Sequence, residues 1–335
     1  MSEPQSKTKL PPFQPLHPSM IPKLDPKYIE FHNEHIQHIP PIYTVPWDPA
    51  FRESKLPGTT KPLEVGKVQD YDLTNTKCRT YTPPGEKPQL GWPLFITFHG
   101  GGWVFGGIDS DASFASRMCI NANCVVMSVN YRHAPEHPYP AAVDDAIDSL
   151  QWVVKHGKDK LNVDMTRIAV GGISAGGNLA TVLALKAPTI TPPLPHPLVL
   201  QLLVVPGTDH TADASQWNTY GEHAPFLNHE ALLWFRNAYL PDKANHSDWL
   251  ASPILAPEDL LSGAPKTWVA VAEVDPLRDE AERYAAKLES AGVSVKVVCY
   301  EKVPHIFIGL DDVLSAGKRF VQEAGEALKE AFWGS

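Results

Sequence analysis

The chain has 335 residues, of which 43% are hydrophobic and 20% are charged, enough apolar material for one large core or two smaller ones. Its net charge of −9 and the lack of a basic stripe exclude a typical nucleic-acid-binding protein. No apolar run approaches the roughly 18 residues of a membrane span, and the first ten residues lack the apolar core of a secretory signal. The four cysteines are too scattered for a disulfide framework or a metal site. They favour free thiols in a cytoplasmic protein, with a single bridge as the alternative.

The first 62 residues are rich in proline, which predicts an extended arm rather than a compact domain. Within the arm, residues 27–39 are predicted to form a helix, with Asp25 capping its first turn and Pro26 at its first position. Three histidines recur there at helical spacing: His32, His35 and His38. We interpret them as a partly exposed helix face rather than a metal site, and expect no metal or organic cofactor in this protein.

From residue 65 onward, strand and helix patterns alternate. Predicted strands are 65–73, 77–82, 93–98, 124–131, 167–170, 198–205, 267–274 and 293–300. Predicted helices are 141–156, a segment from residue 178, 278–291 and 316–332. The alternation predicts an α/β fold with a mostly parallel sheet and helices on both faces. It breaks down after Pro206 in an insert, assigned to 207–250, whose aromatic residues include Trp217, Tyr220, Phe226, Trp234, Phe235 and Tyr239.

The segment around Ser174 has the pattern Gly-x-Ser-x-Gly between a predicted strand and a predicted helix. That context is typical of a nucleophile elbow, a strained turn that exposes the serine hydroxyl at the edge of a sheet. Gly172 and Gly176 leave room for such a turn. The pattern also arises by chance. Assigning Ser174 as a nucleophile therefore requires an acid, a base and an oxyanion hole elsewhere in the chain.

The order serine, acid, histidine restricts the choice of partners. His305 is the one histidine that follows the last predicted strand, and Asp275 directly follows the strand 267–274. Asp275 would also suit the role of a helix cap before Pro276, and the two roles do not exclude each other. We predict Asp275 as the acid and His305 as the base.

Residues 99–103, with the sequence His-Gly-Gly-Gly-Trp, follow the predicted strand 93–98. Consecutive glycines allow backbone N–H groups to point at a ligand, as acyl transfer requires for its oxyanion. The alternative is a merely flexible turn. The rarity of three glycines after a histidine argues against that alternative.

Taken together, these motifs resemble the hormone-sensitive-lipase-like carboxylesterases (family IV) of the α/β-hydrolase superfamily. The resemblance also includes residues 131–142, the Asp-Pro-Leu-Arg-Asp-Glu motif from Asp275, and His-Ile-Phe from His305. It implies an α/β-hydrolase domain (63–206 and 251–335), a cap formed by the arm (1–62) and the insert (207–250), and possible dimers through the last strand and helix. The implied oxyanion-hole donors are the N–H groups of Gly101, Gly102 and Ala175.

The implied activity is hydrolysis of a small carboxylic ester of short to medium chain length, without nucleic-acid or membrane partners. We predict that the substrate contacts Trp103, Tyr220, Phe226 and Ile306, although aromatic residues of a cap also pack against one another. Ile173 stands where family members often have aspartate, and Ile306 where they often have glycine. Alternative functions are hydrolysis of an amide, lactone or carbamate, and a non-catalytic small-molecule-binding relative.

Overall fold

The computed structural model describes residues 12–54, 56–212 and 220–334. Residues 1–11 of the predicted arm and Trp217 of the predicted insert lie outside this described part. Within it, eight strands form one sheet with helices on both faces. The predicted α/β class with a mostly parallel sheet is confirmed.

In chain order the strands are β1 (Lys67–Asp72), β2 (Lys77–Thr82), β3 (Trp92–Phe98), β4 (Val125–Asn130), β5 (Val163–Ile173), β6 (Leu200–Val204), β7 (Thr267–Val274) and β8 (Val295–Pro304). Their order in the sheet is β1-β2-β4-β3-β5-β6-β7-β8. β2 is antiparallel to β1 and β4, and the other neighbours are parallel. β3 and β6 are buried at every position, because helices cover both faces of the parallel part.

The register of the parallel strands brings several loops to one edge of the sheet. Phe98 at the end of β3 pairs with Gly172 of β5, and Ile173 pairs with Val204 at the end of β6. The carboxyl ends of these strands therefore lie side by side. Reactive groups of open α/β sheets collect at this edge, and the loops that carry the predicted motifs begin here.

The helices are α1 (Pro26–Phe31), α2 (Ala112–Ala122), α3 (Ala141–His156), α4 (Ala175–Lys186), α5 (His229–Tyr239), α6 (Glu258–Ser262), α7 (Arg278–Ser290) and α8 (Ser315–Trp333). Apolar residues of α3, α4 and α7 form one core cluster with side chains of β3, β4 and β5. Residues of α1, α2 and α8 form a second cluster with the alternate side chains of the same strands. The two clusters correspond to the two faces of the sheet.

The arm packs on the sheet face that α2 and α8 cover. Asp25 accepts a hydrogen bond from the N–H of Lys27 and so caps α1, as predicted from its position. Tyr28 and Phe31 are buried in the second core cluster. The interpretation of the three histidines as a partly exposed face is wrong for His32, which is 1% exposed and hydrogen-bonded to the carbonyl of Gln14 at 2.7 Å. Burial lowers the pKa of His32, which keeps the ring neutral.

α2 has no counterpart among the predicted elements. Its buried side includes Ser113 and Ser116, so the apolar period of a helix is interrupted. The Ser116 hydroxyl donates to the carbonyl of Ser113 at 2.9 Å and accepts from the N–H of Leu63, and the Ser113 hydroxyl is hydrogen-bonded to Thr60, which allows both serines to be buried. The helix predicted for 278–291 is observed as Arg278–Ser290.

All four cysteines are free thiols, and Cys78, Cys119 and Cys124 are buried. Burial raises the pKa of Cys78 and of Cys119 to about 12, so both remain neutral and unreactive near pH 7. Across the described residues, no helix is both long enough and apolar enough to cross a bilayer.

Candidate active site

Ser174 lies at the junction of β5 and α4 with φ 54° and ψ −115°, a backbone conformation that non-glycine residues rarely adopt. Its N–H donates to the carbonyl of Val204 at 2.8 Å, which fixes the turn to β6. A methyl group on Gly172 would lie 2.2 Å from the carbonyl oxygen of Gly176, and one on Gly176 would lie 2.0 Å from that of Phe98. The tight turn therefore requires glycine at positions 172 and 176, two residues before and two residues after Ser174.

The predicted base lies within hydrogen-bond distance of both the predicted nucleophile and the predicted acid. His305 Nε2 lies 2.9 Å from Ser174 Oγ, and His305 Nδ1 lies 2.7 Å from Asp275 Oδ2. A carboxylate only accepts, so the proton on Nδ1 is donated to Asp275, and Nε2 is left to accept from the serine hydroxyl. This tautomer suits a general base.

Asp275 is fully buried at the end of β7, and its second oxygen is also engaged. Oδ1 accepts from the N–H of Leu277 at 2.9 Å, two residues along the turn that leads into α7. Asp275 is not the cap of α7, because that helix begins at Arg278 with Leu277 at its cap position. One oxygen of Asp275 instead fixes the turn before the helix, and the other contacts His305. The fixed carboxylate holds the imidazole plane in one orientation.

His305 begins a short 3-10 turn directly after β8, and Phe307 on this turn is buried in the core. Ile306, between them, is partly buried and packs against the second core cluster. The bulky residue predicted beside the base is therefore part of the packing that positions the histidine loop.

Residues 99–103, which we call the glycine loop, follow β3 and adopt left-handed conformations at Gly101, Gly102 and Trp103, with φ 118°, 61° and 60°. A methyl group on Gly101 would lie 2.4 Å from the carbonyl oxygen of Phe105. In the described part of the chain, the N–H groups of Gly101, Gly102 and Ala175 donate to no acceptor. Unpaired backbone N–H groups at the same edge of the sheet as Ser174 are the kind of donor that an oxyanion requires, and their role as the oxyanion hole stays a prediction.

His99 fixes the start of the glycine loop and does not approach the triad. Its ring stacks on Tyr131 with centroids 4.4 Å apart, and Nδ1 donates to the carbonyl of Gly100 at 2.7 Å. The Tyr131 hydroxyl donates to the carbonyl of His99 at 2.9 Å. Burial lowers the pKa of His99 to about 4, so the ring is neutral near pH 7.

Ile173, the departure beside the nucleophile, is 6% exposed. A methyl group on Gly100 would lie 3.2 Å from its Cγ2 atom, so the isoleucine packs directly against the glycine loop. At position 173, where a polar side chain is common in the family, this chain has an apolar contact between the elbow and the glycine loop. Charge burial at this position would be costly without a partner.

The four residues predicted to contact substrate have different environments. Trp103 is 6% exposed and stacks on Tyr239 of α5, with centroids 4.3 Å apart. Tyr220 is partly buried under the ammonium group of Lys23, 4.5 Å from the ring centroid, and Phe226 is 41% exposed. Trp103 thus packs the glycine loop against the insert. Contact between the substrate and the four predicted residues stays a prediction.

Three residues that hold the loops near Ser174 were not identified from sequence. Arg52 Nε donates to the carbonyl of Val104 at 2.7 Å, just past the glycine loop. The Asn178 side-chain amide donates to the carbonyls of Gly207 and Ala251 at 2.9 and 2.8 Å, and Glu280 Oε1 accepts from the N–H of Thr208. None has a sequence signal, because each contacts main chain that is distant along the chain.

Glu280 is expected to make stability depend on pH. Burial raises the pKa of its carboxyl from the ordinary value of 4.5 to about 8, and the N–H groups of Thr208 and Asp209 only partly oppose this. The folded state then binds the proton more tightly than the unfolded state, so this stabilisation is present below pH 4.5 and is lost as the pH rises to about 8. Its slope is at most about 1.4 kcal/mol per pH unit.

Urea unfolding from pH 5 to 9 tests this expectation. Glu280→Gln keeps an acceptor oxygen but has no proton to lose, so its free energy of unfolding should fall less steeply between pH 5 and 8 than that of the wild type. Glu258→Gln, at an exposed carboxyl, is the control and should retain the wild-type slope. Equal slopes for Glu280→Gln and wild type would contradict the assignment.

A cavity of about 290 Å³ lies apart from Ser174 and is lined by Arg52, Thr76, Asn130, Tyr131, Arg132, His133, Glu136 and His137. Its cations are already paired, Arg52 with Glu136 and Arg132 with Asp145. Burial lowers the pKa of His133 to about 3, so this histidine adds no charge near pH 7. The described residues contain no cluster of three or more histidine, cysteine or carboxylate side chains that could hold a metal ion.

Comparison with known proteins agrees with this geometry. Residues 95–309 match a family described as the alpha/beta hydrolase fold. An AB hydrolase superfamily protein of Schizosaccharomyces pombe is 38% identical over 333 residues, covering 95% of this chain and 97% of its own length. Carboxylesterase NlhH of Mycobacterium tuberculosis is 39% identical over 287 residues, covering 84% of this chain and 87% of its own. LAE6, an alpha/beta hydrolase enzyme from the metagenome of Lake Arreo in Spain, superposes with a TM-score of 0.81 at 30% identity, covering 93% and 99% of the two chains.

These matches and the site geometry define the class of protein as an α/β hydrolase. Within that superfamily the chain belongs to the hormone-sensitive-lipase-like carboxylesterases, and the resemblance predicted from its motifs is confirmed.

Proposed function

We propose that the protein is a serine carboxylesterase in which Ser174 is the nucleophile, His305 the general base and Asp275 the residue that orients it. The observation that carries this proposal is the continuous hydrogen-bonded line from Ser174 Oγ through His305 to Asp275, with distances of 2.9 and 2.7 Å. It supports acyl transfer because each proton position required by the reaction has a partner. Ester hydrolysis as the activity also agrees with the relative named carboxylesterase.

In the first half of the reaction, Ser174 Oγ attacks the ester carbonyl carbon while its proton moves to Nε2 of His305. The carbonyl oxygen becomes an oxyanion that accepts hydrogen bonds from the N–H groups of Gly101, Gly102 and Ala175. As the intermediate collapses, the bond to the alcohol oxygen breaks and Nε2 returns the proton to that oxygen. The products are the free alcohol and an acyl ester of Ser174.

In the second half, a water molecule takes the place of the alcohol. Its proton moves to His305, its oxygen attacks the acyl carbon, and the same three N–H groups hold the new oxyanion. The bond to Ser174 Oγ then breaks, Oγ regains its proton, and the carboxylic acid leaves. Throughout, the buried Asp275 carboxylate stabilises the charged imidazole at a fixed distance.

The proposed division of the chain is an α/β-hydrolase domain (63–206 and 251–335) and a cap made by the arm (1–62) and the insert (207–250). Asn178 supports the limits of the insert, because its amide binds the carbonyls of Gly207 and Ala251 at the two ends. Contacts between arm and insert support a joint cap. The amide of Asn228 donates to the Tyr43 hydroxyl at 3.0 Å, and Trp47 lies 5.8 Å from Trp234 between ring centroids.

We propose that the acyl group is short to medium in length. The support is crowding beside the glycine loop, where Trp103 is fully packed and Phe235 of α5 covers Gly102. A panel of p-nitrophenyl esters from acetate to palmitate tests this. We expect hydrolysis from acetate to octanoate and a fall in kcat/KM of at least about tenfold at palmitate, since a closed apolar pocket rejects excess methylenes. Undiminished kcat/KM at palmitate would contradict it.

Matched amide, lactone and carbamate substrates belong in the same panel, because the triad alone does not distinguish these acyl donors. A serine-directed fluorophosphonate then separates an enzyme from a non-catalytic binding protein. An enzyme would be labelled covalently at Ser174. A wild-type protein that remains unlabelled would contradict the proposed function.

We also propose a homodimer through β8 and α8 and a cytoplasmic location. β8 is an edge strand of the sheet, and its Val297 is 41% exposed. Free strand edges with exposed apolar residues are suited to pairing with a second copy. Light scattering on the purified protein and fluorescence imaging of a tagged chain would measure the two properties.

A further inference from the structure

The outer face of the glycine loop is covered by a side chain of the insert. A methyl group placed on Gly102 would lie 2.2 Å from Cδ1 of Phe235, and its three nearest neighbours would all be atoms of that ring. The aromatic ring of Phe235 therefore rests directly on the backbone of Gly102. This contact joins α5 to a residue whose N–H is a proposed oxyanion donor.

Phe235 is itself held in place by other aromatic residues. Its ring makes edge contacts with Phe105 and Trp234, with centroids 5.9 and 5.2 Å apart. Trp47 of the arm contacts both of these neighbours, at 5.5 and 5.8 Å. The ring on Gly102 thus belongs to an aromatic cluster that joins the arm, Phe105 just beyond the glycine loop, and the insert.

α5 is fixed at both ends. Its first turn is capped by Asn228, whose side chain accepts from Ala231 N–H and donates to the Tyr43 hydroxyl. At its other end, Tyr239 stacks on Trp103 with an interplanar angle of 2°, and its carbonyl accepts from Tyr139 N–H at 2.8 Å. The helix therefore touches the glycine loop at two points, Gly102 and Trp103, and has little freedom to move without moving the loop.

The opposite side of the loop rests on the elbow. Ile173 lies against Gly100, because a methyl group added to Gly100 would lie 3.2 Å from Ile173 Cγ2. The loop has three glycines in succession, two of them in the left-handed region, and glycine gives a backbone little intrinsic preference. Packing by Ile173 on one side and Phe235 on the other supplies the rigidity that the loop's own sequence lacks.

We infer that Phe235 is a positioning residue for the oxyanion hole. Because its ring rests on Gly102, the position of α5 sets the orientation of the Gly102 N–H. This inference rests on the proposed function, since it assigns the loop a catalytic donor. An oxyanion donor acts only when it points at the developing charge, and loss of one donor costs about 10²–10³ in rate. Removal of the ring loosens the donor without deleting it, so a smaller loss is expected.

A double-mutant cycle between Gly102 and Phe235 tests the coupling. Phe235→Ala should lower kcat/KM about tenfold, mostly through kcat, and Gly102→Ala should lower it at least about 100-fold because its methyl group meets the ring. In the double variant, removal of the ring relieves that clash, so activity should rise above that of Gly102→Ala alone. The strain of alanine at a positive φ remains, so the recovery is partial.

The sign reversal distinguishes positioning from general destabilisation, because misfolding lowers activity in both backgrounds. Leu232→Ala truncates an apolar side chain on the same helix and is the control: it should not restore activity to Gly102→Ala. Phe235→Leu should retain more activity than Phe235→Ala. A trifluoromethyl ketone, whose adduct with serine carries an oxyanion, should bind Phe235→Ala more weakly by the same factor as the fall in kcat/KM.

Additive losses, in which Phe235→Ala lowers activity by the same factor in the wild-type and Gly102→Ala backgrounds, would overturn the inference. So would unchanged ketone affinity in Phe235→Ala. Both outcomes are interpretable only alongside a wild type that hydrolyses esters and reacts with fluorophosphonate. If wild type does neither, the proposed function fails, whereas an active wild type without coupling refutes the role of Phe235 alone.

Discussion

Ser174→Ala should lower kcat for p-nitrophenyl butyrate about 10⁶-fold, because no other group is placed to form the acyl intermediate. The His305 ring lies 2.9 Å from the serine oxygen, and without that oxygen it has no nucleophile to activate. Substrate binding should change little, because the hydroxyl contributes to the transition state rather than to ground-state affinity. The measurement is single-substrate kinetics with fluorophosphonate labelling on the same preparations.

Ser252→Ala is a suitable control for this variant. Ser252 is fully buried, and its hydroxyl accepts from the N–H of His210 and donates to the carbonyl of His246, so it makes no hydrogen bond to the triad. It should label normally. A Ser174→Ala protein that hydrolyses esters within tenfold of wild type would show that the acyl chemistry occurs elsewhere.

The turn at Ser174 and the approach of Asp275 and His305 to it were predictable, because the signals lie in one short motif and in the order of the strands. Ser174 requires glycine at positions 172 and 176 for steric reasons that appear directly in the sequence, and distances of 2.2 and 2.0 Å to main-chain oxygens show why. Asp275 and His305 were reached by chain order alone, since each follows a strand of a parallel sheet at the same edge. Residues that directly follow the strands of a parallel sheet can therefore be placed near one another from sequence alone.

The contacts that stabilise the glycine loop were not predictable, because they join residues far apart in the chain. Phe235 was recognised only as one of several insert aromatics, and nothing in its local sequence connects it with Gly102. Glu280 was noted as the last residue of the Asp-Pro-Leu-Arg-Asp-Glu motif, which gives no sign of its contacts. In the structure, its carboxyl lies 4% exposed and binds the main chain of residues 208 and 209.

The departure from the family pattern at Ile173 has a structural consequence that composition does not reveal. Ile173 and Phe235 both make apolar contacts with the glycine loop, one from the sheet and one from the insert. A polar residue beside the nucleophile would instead position the loop by hydrogen bonding, which is directional but competes with water. In this chain, the loop depends on packing, so its geometry should be sensitive to substitutions in the insert.

Asp275→Asn should lower kcat/KM about 10⁴-fold while leaving the fold intact. The two side chains have nearly the same shape, so the hydrogen bond from Leu277 N–H to the side-chain oxygen is retained. The neutral amide does not stabilise the charged imidazole, and it favours the tautomer with its proton on Nε2. A ring in that tautomer no longer accepts the proton of Ser174.

Asp279→Asn is the matched control, since it removes a carboxylate from the first turn of α7 without contact to His305. It should retain activity within about twofold, and both variants should unfold near the wild-type urea midpoint. Fluorophosphonate reaction should slow in Asp275→Asn in parallel with kcat/KM, because both depend on activation of the same hydroxyl. A loss below tenfold, or equal losses in the two variants, would remove Asp275 from the triad and would leave its hydrogen bond to Leu277 as its principal role.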